Sequence, residues 1–207
     1  MGGRYSGGVA TEEIIDGRRA RRDRNRLAVI DALVTLLQEG ARPSTEEIAA
    51  RAGVSVSSLF RYFDSIDDLQ RQMIDLHFER FGPLFELPAI GSGARDERIA
   101  RFVDARLELH NAVAPAARLA RARAFDQPVI ADTLTRTRRM LAAQIREHFA
   151  QELDAATPAV ASDAVDAIDG LTSFETWDLM TTSHGRSTRQ VRRNWVRAIA
   201  SVLDGAS

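Results

Sequence analysis

Ser55, Val56, Ser57 and Ser58 stand in a row at the start of a short apolar-periodic stretch. Serine hydroxyls donate to or accept from several base edges, and valine methyls can meet a thymine methyl. Phe60, Arg61 and Tyr62 follow about one helical turn later, where contacts to phosphate are expected. Ser44 and Thr45 open the preceding stretch, and a hydroxyl beside the free N–H groups of a helix start takes up phosphate oxygens. Upstream, GRRARRDRNR at 17–26 holds six arginines against one aspartate. Such a run is ordinarily a solvated helix end. Beside groups suited to base edges it reads as an arm that tracks phosphates or enters a minor groove, through Arg22, Arg24 and Arg26. These residue types allow recognition of a duplex, with no bond made or broken.

The elements that position them follow from residues 44–63, STEEIAARAGVSVSSLFRYF. Ser44 and Glu47 fit a capping box, in which hydroxyl and carboxylate satisfy the free N–H groups of a helix start. Gly53 sits where that helix should stop, because glycine enters the left-handed region without a Cβ clash. Ser55 caps a second helix, on which Leu59, Tyr62 and Phe63 share one face. Helix, glycine turn and second helix with a polar leading edge make a helix-turn-helix, whose second helix enters a major groove. An ordinary helical hairpin would share much of this pattern.

The longer string AARAGVSVSSLFRYFDSIDDL resembles the DNA-binding signature of the TetR family of transcriptional regulators. The resemblance covers roughly the first third of the chain. It implies a three-helix head, a fourth helix whose tilt passes the signal to the body, and a body that holds a small molecule. It also implies a homodimer through the last two long helices and a palindromic operator in double-stranded DNA. Two positions depart from the family pattern. Phe60 stands where a tyrosine is usual and Ile66 where a lysine is usual, so two phosphate contacts are missing.

At 207 residues and 44% apolar, the chain suffices for one good core or two small domains. The net charge of −1 means that DNA-binding charge must be local. All of the basic residues are arginine, which records coding bias as much as phosphate chemistry. The absence of cysteine excludes disulfides and thiolate catalysis. The four histidines share no metal-ligand spacing, so neither metal nor cofactor is expected. No apolar run approaches the roughly 18 residues that span a bilayer, and no signal core precedes the arginines, so a cytoplasmic protein is expected. No phosphate-cradling glycine loop, nucleophile elbow, HExxH or paired catalytic carboxylates occur, which argues against an enzyme.

The periodicity predicts an all-α chain of about nine helices, with a flexible arm at 1–17, the helix-turn-helix domain at 18–66 and a helical ligand-binding and dimerisation domain at 67–207. Helices are expected at 18–40, from 66 to about 81, at 95–113 and 116–124, from 128 to about 153, from 158 to about 182, and from 188 to a stop before Gly205. Apolar residues in the last two spread wider than one stripe, as a second buried face requires. Arg106 and His110 fall on the inward stripe with Phe102, and Glu175 falls between Leu171 and Leu179. Arg106 and Glu175 are expected to pair with each other or with a ligand, since a buried charge is costly alone, and His110 reads equally as a satisfied core histidine. Phe81, Phe125, Phe174 and Trp177 are the aromatic candidates for a pocket wall, though each is as easily core. The reading that results is a dimeric, ligand-responsive DNA-binding regulator, most often a repressor in the family, released by a small and mostly apolar effector. The alternatives are a DNA-binding regulator without an effector and an α-helical enzyme.

Overall fold

The computed structural model describes the backbone of residues 9–206 and the side chains of 19–206. Its helices are α1 (Val9–Gln38), α2 (Thr45–Arg51), α3 (Val56–Tyr62), α4 (Ile66–Arg80), α5 (Arg95–Arg123), α6 (Pro128–His148), α7 (Ala150–Leu153), α8 (Pro158–Leu171), α9 (Phe174–Asp178) and α10 (Thr188–Ala206). No strand occurs among the described residues, so the fold is all-α as the periodicity requires. The helical backbone of α1 already begins at Val9. Residues 9–17 are therefore helical where a flexible arm was expected, while residues 1–8 lie outside the described part.

The chain divides into two compact units, 1–76 and 77–207, and the division falls inside α4 rather than at its start. Leu69 and Met73 explain this, because both are wholly buried in the head unit. They join Val29, Ile30 and Leu33 of α1, Ile48 of α2, Leu59 of α3 and Phe63 just after it. Ser65 caps α4 by accepting from the Asp68 N–H at 3.0 Å. Leu27 of α1 points outward.

In the body unit α10 packs on α5 and α8, and α6 packs on the same two helices. Phe102, Ile145, Phe149, Ile168, Trp195 and Ile199 are each fully buried where they meet. Pro115 lies inside α5, which runs unbroken from Arg95 to Arg123 where two helices were expected. A proline within a helix removes one backbone hydrogen bond and crowds the preceding turn. The ring is buried here, and His77 Nε2 donates to the Ala112 carbonyl on that turn at 3.0 Å. Packing thus holds together a helix that local preference would break.

The opposite happens downstream. The long helix expected from residue 128 stops at Phe149, and the one expected from 158 stops at Leu171, where Ser173 caps the short α9. Ser187 and Gln190 form a cap before α10, with the Ser187 N–H donating to Gln190 Oε1 at 2.9 Å. Trp195 is the largest wholly buried side chain. Trp195→Ala should cost about 3–5 kcal/mol, read as a lower urea midpoint of the body transition with an unchanged slope.

Candidate nucleic-acid interface and effector cavity

The head builds its exposed edge from the turn upward. Gly53 adopts φ +68°, a conformation that any side chain would strain, and it turns the chain into α3. Ser55 then caps α3, its Oγ accepting from the Ser58 N–H at 3.2 Å. The same Oγ lies 3.0 Å from both Ser57 Oγ and Ser58 Oγ, and Arg61 Nη2 donates to Ser58 Oγ at 2.9 Å. The leading edge is therefore a linked row of hydroxyls ending in a guanidinium. Ser55 and Ser57 are exposed, Val56 and Ser58 partly so, and Phe60 keeps 48% of its surface in solvent.

The arginine-rich turn of α1 does two different things. Arg22 Nη2 donates to the Arg61 carbonyl at 3.2 Å, placing a cation at the C-terminal end of α3 where the helix dipole is negative. Asn25 Nδ2 donates to the Tyr62 hydroxyl oxygen at 3.1 Å, which leaves the phenol proton free for another acceptor. Arg26 instead turns toward α4. Its Nε donates to Gln72 Oε1 at 3.0 Å and its guanidinium lies 5.9 Å over the Phe63 ring. Its expected place on the interface is thus taken by an internal contact. Arg24 is exposed and has no recorded partner among the described residues. Arg21, Arg22, Asn25, Ser55, Ser58, Arg61 and Tyr62 face one open cleft. Arg21 and Asn25 were not singled out from the sequence, although the i, i+4 spacing of Arg21, Asn25 and the arginine run would place them on one face.

Ser44 is less available than its position suggests. The Ser44 N–H donates to Glu47 Oε2 at 2.7 Å and Ser44 Oγ accepts from the Glu47 N–H at 3.2 Å. The backbone bond from Ser44 holds the Glu47 carboxyl below its usual range, so an acid already occupies the anion position of α2. Thr45 is partly exposed.

The body encloses a cavity of about 80 Å³, partly open to solvent. Apolar walls come from Phe78, Phe85, Leu109, Val113, Leu134, Leu141 and Phe174. Arg106, His110, Arg121, Arg138, Asp169 and Glu175 supply the polar lining. Of the residues expected to face a ligand, Arg106, His110, Phe174 and Glu175 line this space. Phe102 is buried beneath Arg106, whose guanidinium lies 4.8 Å over its ring, and Trp177 and Phe81 pack in or against the core. Phe125 is 92% exposed in the turn after α5, outside the cavity wall.

Arg106 is 3% exposed and does not pair with Glu175. It donates from Nη1 to Gln144 Oε1 at 3.1 Å and from Nη2 to the Leu141 carbonyl at 3.0 Å. Burial lowers its pKa to about 10, with Asp169 pulling the other way, so it remains a cation at neutral pH. Glu175 is bound instead by Arg121 at 2.8 Å and Arg138 at 2.5 Å. Burial opposes its charge, yet the bonds and charges of Arg121 and Arg138 bring the carboxyl down to about 2. Asp169 is pushed up by burial. His110 Nε2 donates to the Thr172 carbonyl at 2.8 Å. Burial brings its pKa down to about 4, so the ring is neutral. Among the described residues no cluster of His, Cys, Asp or Glu could hold a metal ion. No described helix is long and apolar enough to cross a membrane.

An exposed row of hydroxyls on a short capped helix after a glycine turn makes a helix-turn-helix, and the other helical unit holds a cavity. Residues 29–73 match the family model described as bacterial regulatory proteins, tetR family. Solved structures share the fold. A tetR-family transcriptional regulator from Streptomyces coelicolor is 18% identical with a TM-score of 0.67, covering 89% of this chain and 82% of that one. A transcriptional regulator from Rhodococcus is 18% identical with a TM-score of 0.57, over 89% and 97%. The multidrug binding protein EbrR, complexed with imidazole, is 20% identical with a TM-score of 0.53, over 84% and 94%. No curated protein sequence matches the chain. Residues 29–73 thus carry a TetR-family regulatory domain, and the chain as a whole shares the fold of solved TetR-family regulators. The family matched by that segment is one of regulators, not of enzymes.

The His110 environment has a consequence for stability. Its folded pKa of about 4 lies below the unfolded value of ~6.5, so the unfolded state binds the extra proton between them. The contribution is fully present above the unfolded value and is lost as pH falls through the window, by up to about 3 kcal/mol. His110→Asn should flatten the acid limb of the stability profile between pH 6.5 and pH 4, measured by urea unfolding at several pH values.

Proposed function

We propose that this chain is a homodimeric regulator, most often a repressor in such a design, that leaves a palindromic operator when a small and mostly apolar effector enters the body cavity. The observation that carries this reading is the cavity itself, a partly enclosed apolar space with a buried guanidinium in its wall. A DNA-binding protein with no effector would have no need to keep Arg106 buried in a cavity wall, since buried charge is costly. Phe78, on the last part of α4, lines the cavity, while Leu69 and Met73 on the first part are buried in the head. An effector that displaces Phe78 would therefore act on the helix that both units share. Two half-sites one turn apart sit roughly 34 Å centre to centre, so a modest change in head spacing spoils simultaneous docking. The dimer finds support in Val160 of α8 and in Leu179 after α9, apolar side chains left exposed that a second copy would cover.

On DNA, the α3 edge from Ser55 to Ser58 would read bases while Arg61, Tyr62, Arg22 and Arg24 would hold phosphates. Fluorescence anisotropy on a palindrome from the adjacent promoter, over a range of salt concentrations, tests this arrangement. Arg24→Ala should lower the slope of log K against log salt by about 1 and leave stability unchanged. Arg26→Ala should cost on the order of 1 kcal/mol of head stability through the lost Gln72 bond, with a smaller change in slope. An unaltered slope for Arg24→Ala would remove the arginine arm from the interface.

A further inference from the structure

The effector cavity carries a charge pattern that narrows what it can hold. Arg106, Arg121 and Arg138 face two carboxylates, Asp169 and Glu175, while His110 is neutral. One positive charge is left in excess. Glu175 is already engaged by Arg121 and Arg138, which both lie on the more open side and keep part of their surface in solvent. Arg106 differs. It is buried, its bonds go to the neutral acceptors Gln144 and Leu141, and Asp169 reaches it only through longer-range charge. Gln144 holds it in place, since Gln144 Nε2 donates to the Phe85 carbonyl at 2.7 Å and its Oε1 accepts from Arg106. Arg106 donates two N–H groups to Gln144 and Leu141, and a guanidinium has more to offer.

We propose that the effector is a compact organic carboxylic acid bound as its monoanion, with the carboxylate on Arg106 and the apolar body against Phe85, Leu109, Val113 and Phe174. This rests on the effector reading above and adds the ligand's chemical class. A planar guanidinium matches a carboxylate through parallel N–H bonds, and the pairing is strongest away from water. A dianion would overshoot the single excess charge, and an amine would add a cation beside buried Arg106, with only Asp169, already drawn on by the Arg106 charge, left to receive it.

The test is calorimetric titration of the full-length chain with benzoate, benzamide and benzylamine, three probes of nearly one shape that differ in charge. Benzoate should bind at least on the order of tenfold more tightly than benzamide, and benzylamine should bind more weakly still. The preference should persist at about 0.5 M salt, because a buried site is poorly screened, whereas a preference resting on the exposed Arg138 would fade. In Arg106→Gln the benzoate-to-benzamide ratio should fall to near one. Should that variant not fold, the salt series on the unchanged protein still decides. Equal or tighter binding of benzamide or benzylamine, loss of the preference in salt, or no binding by any of the three overturns the proposal. Operator binding followed in the same titrations separates the two readings. Bound benzoate without operator release would sink the effector role and leave the carboxylate site standing, and release by benzylamine would do the reverse.

Discussion

A helix of seven residues cannot hold its own shape in water, and α3 has seven. Isolated helices below roughly 12–15 residues are marginal because nucleation fixes several dihedrals for each early hydrogen bond. The head is therefore an arrangement for imposing helicity on a segment that must keep one face bare. Leu59 and Phe63 anchor it from below, Ser55 closes its first turn, and Arg22 binds the Arg61 carbonyl in its last. Asn25 fixes the tip through Tyr62. The groups that α3 offers outward are thus pre-set, which leaves little side-chain entropy to be lost in any contact they make.

The body faces a different problem, which is where to keep charge inside a helical bundle. It meets it in three ways. Arg98 is buried but joined to Glu152 and to Gln151, with the Gly93 carbonyl at 2.8 Å. Glu175 is held at the cavity edge by two arginines from α5 and α6. Arg106 has only neutral acceptors, the side chain of Gln144 and the Leu141 carbonyl. Neutral acceptors satisfy donors but do not cancel charge. The difference between Arg98 and Arg106 is what separates a structural arginine from one set in a cavity wall.

The caps and the recognition turn are legible in the chain because they depend on residues three or four apart. Ser44 with Glu47, Ser55 with Ser58 and Ser187 with Gln190 all close as their spacing requires. The cavity is only half legible, and the reason lies in how far a helical phase can be carried. Reading α5 as two helices around Pro115 hid Arg121, which continues the stripe of Arg106, His110, Val113 and Ala117 once the helix is unbroken. Reading α8 and α9 as one helix carried the phase across Ser173, where it resets, so Glu175 comes out half-exposed rather than inward. Phe125 was a candidate by residue type alone, and a turn gives its ring nothing to pack against. Arg26 was legible as charge but not as a partner of Gln72, since a contact between α1 and α4 has no signature in either segment.

His148 sits with both ring nitrogens engaged, accepting from the Gly91 N–H at 3.1 Å through Nδ1 and donating to the Arg98 carbonyl at 3.0 Å through Nε2. A carbonyl only accepts and an amide only donates, so the imidazole is held as a single tautomer without charge. His77, by contrast, needs only to donate, and a second proton would leave its bond to Ala112 intact. Two imidazoles in one bundle thus differ in kind. One is a tether for the α4–α5 loop whose bond acid breaks, and the other keeps its bond while burial still opposes its charge.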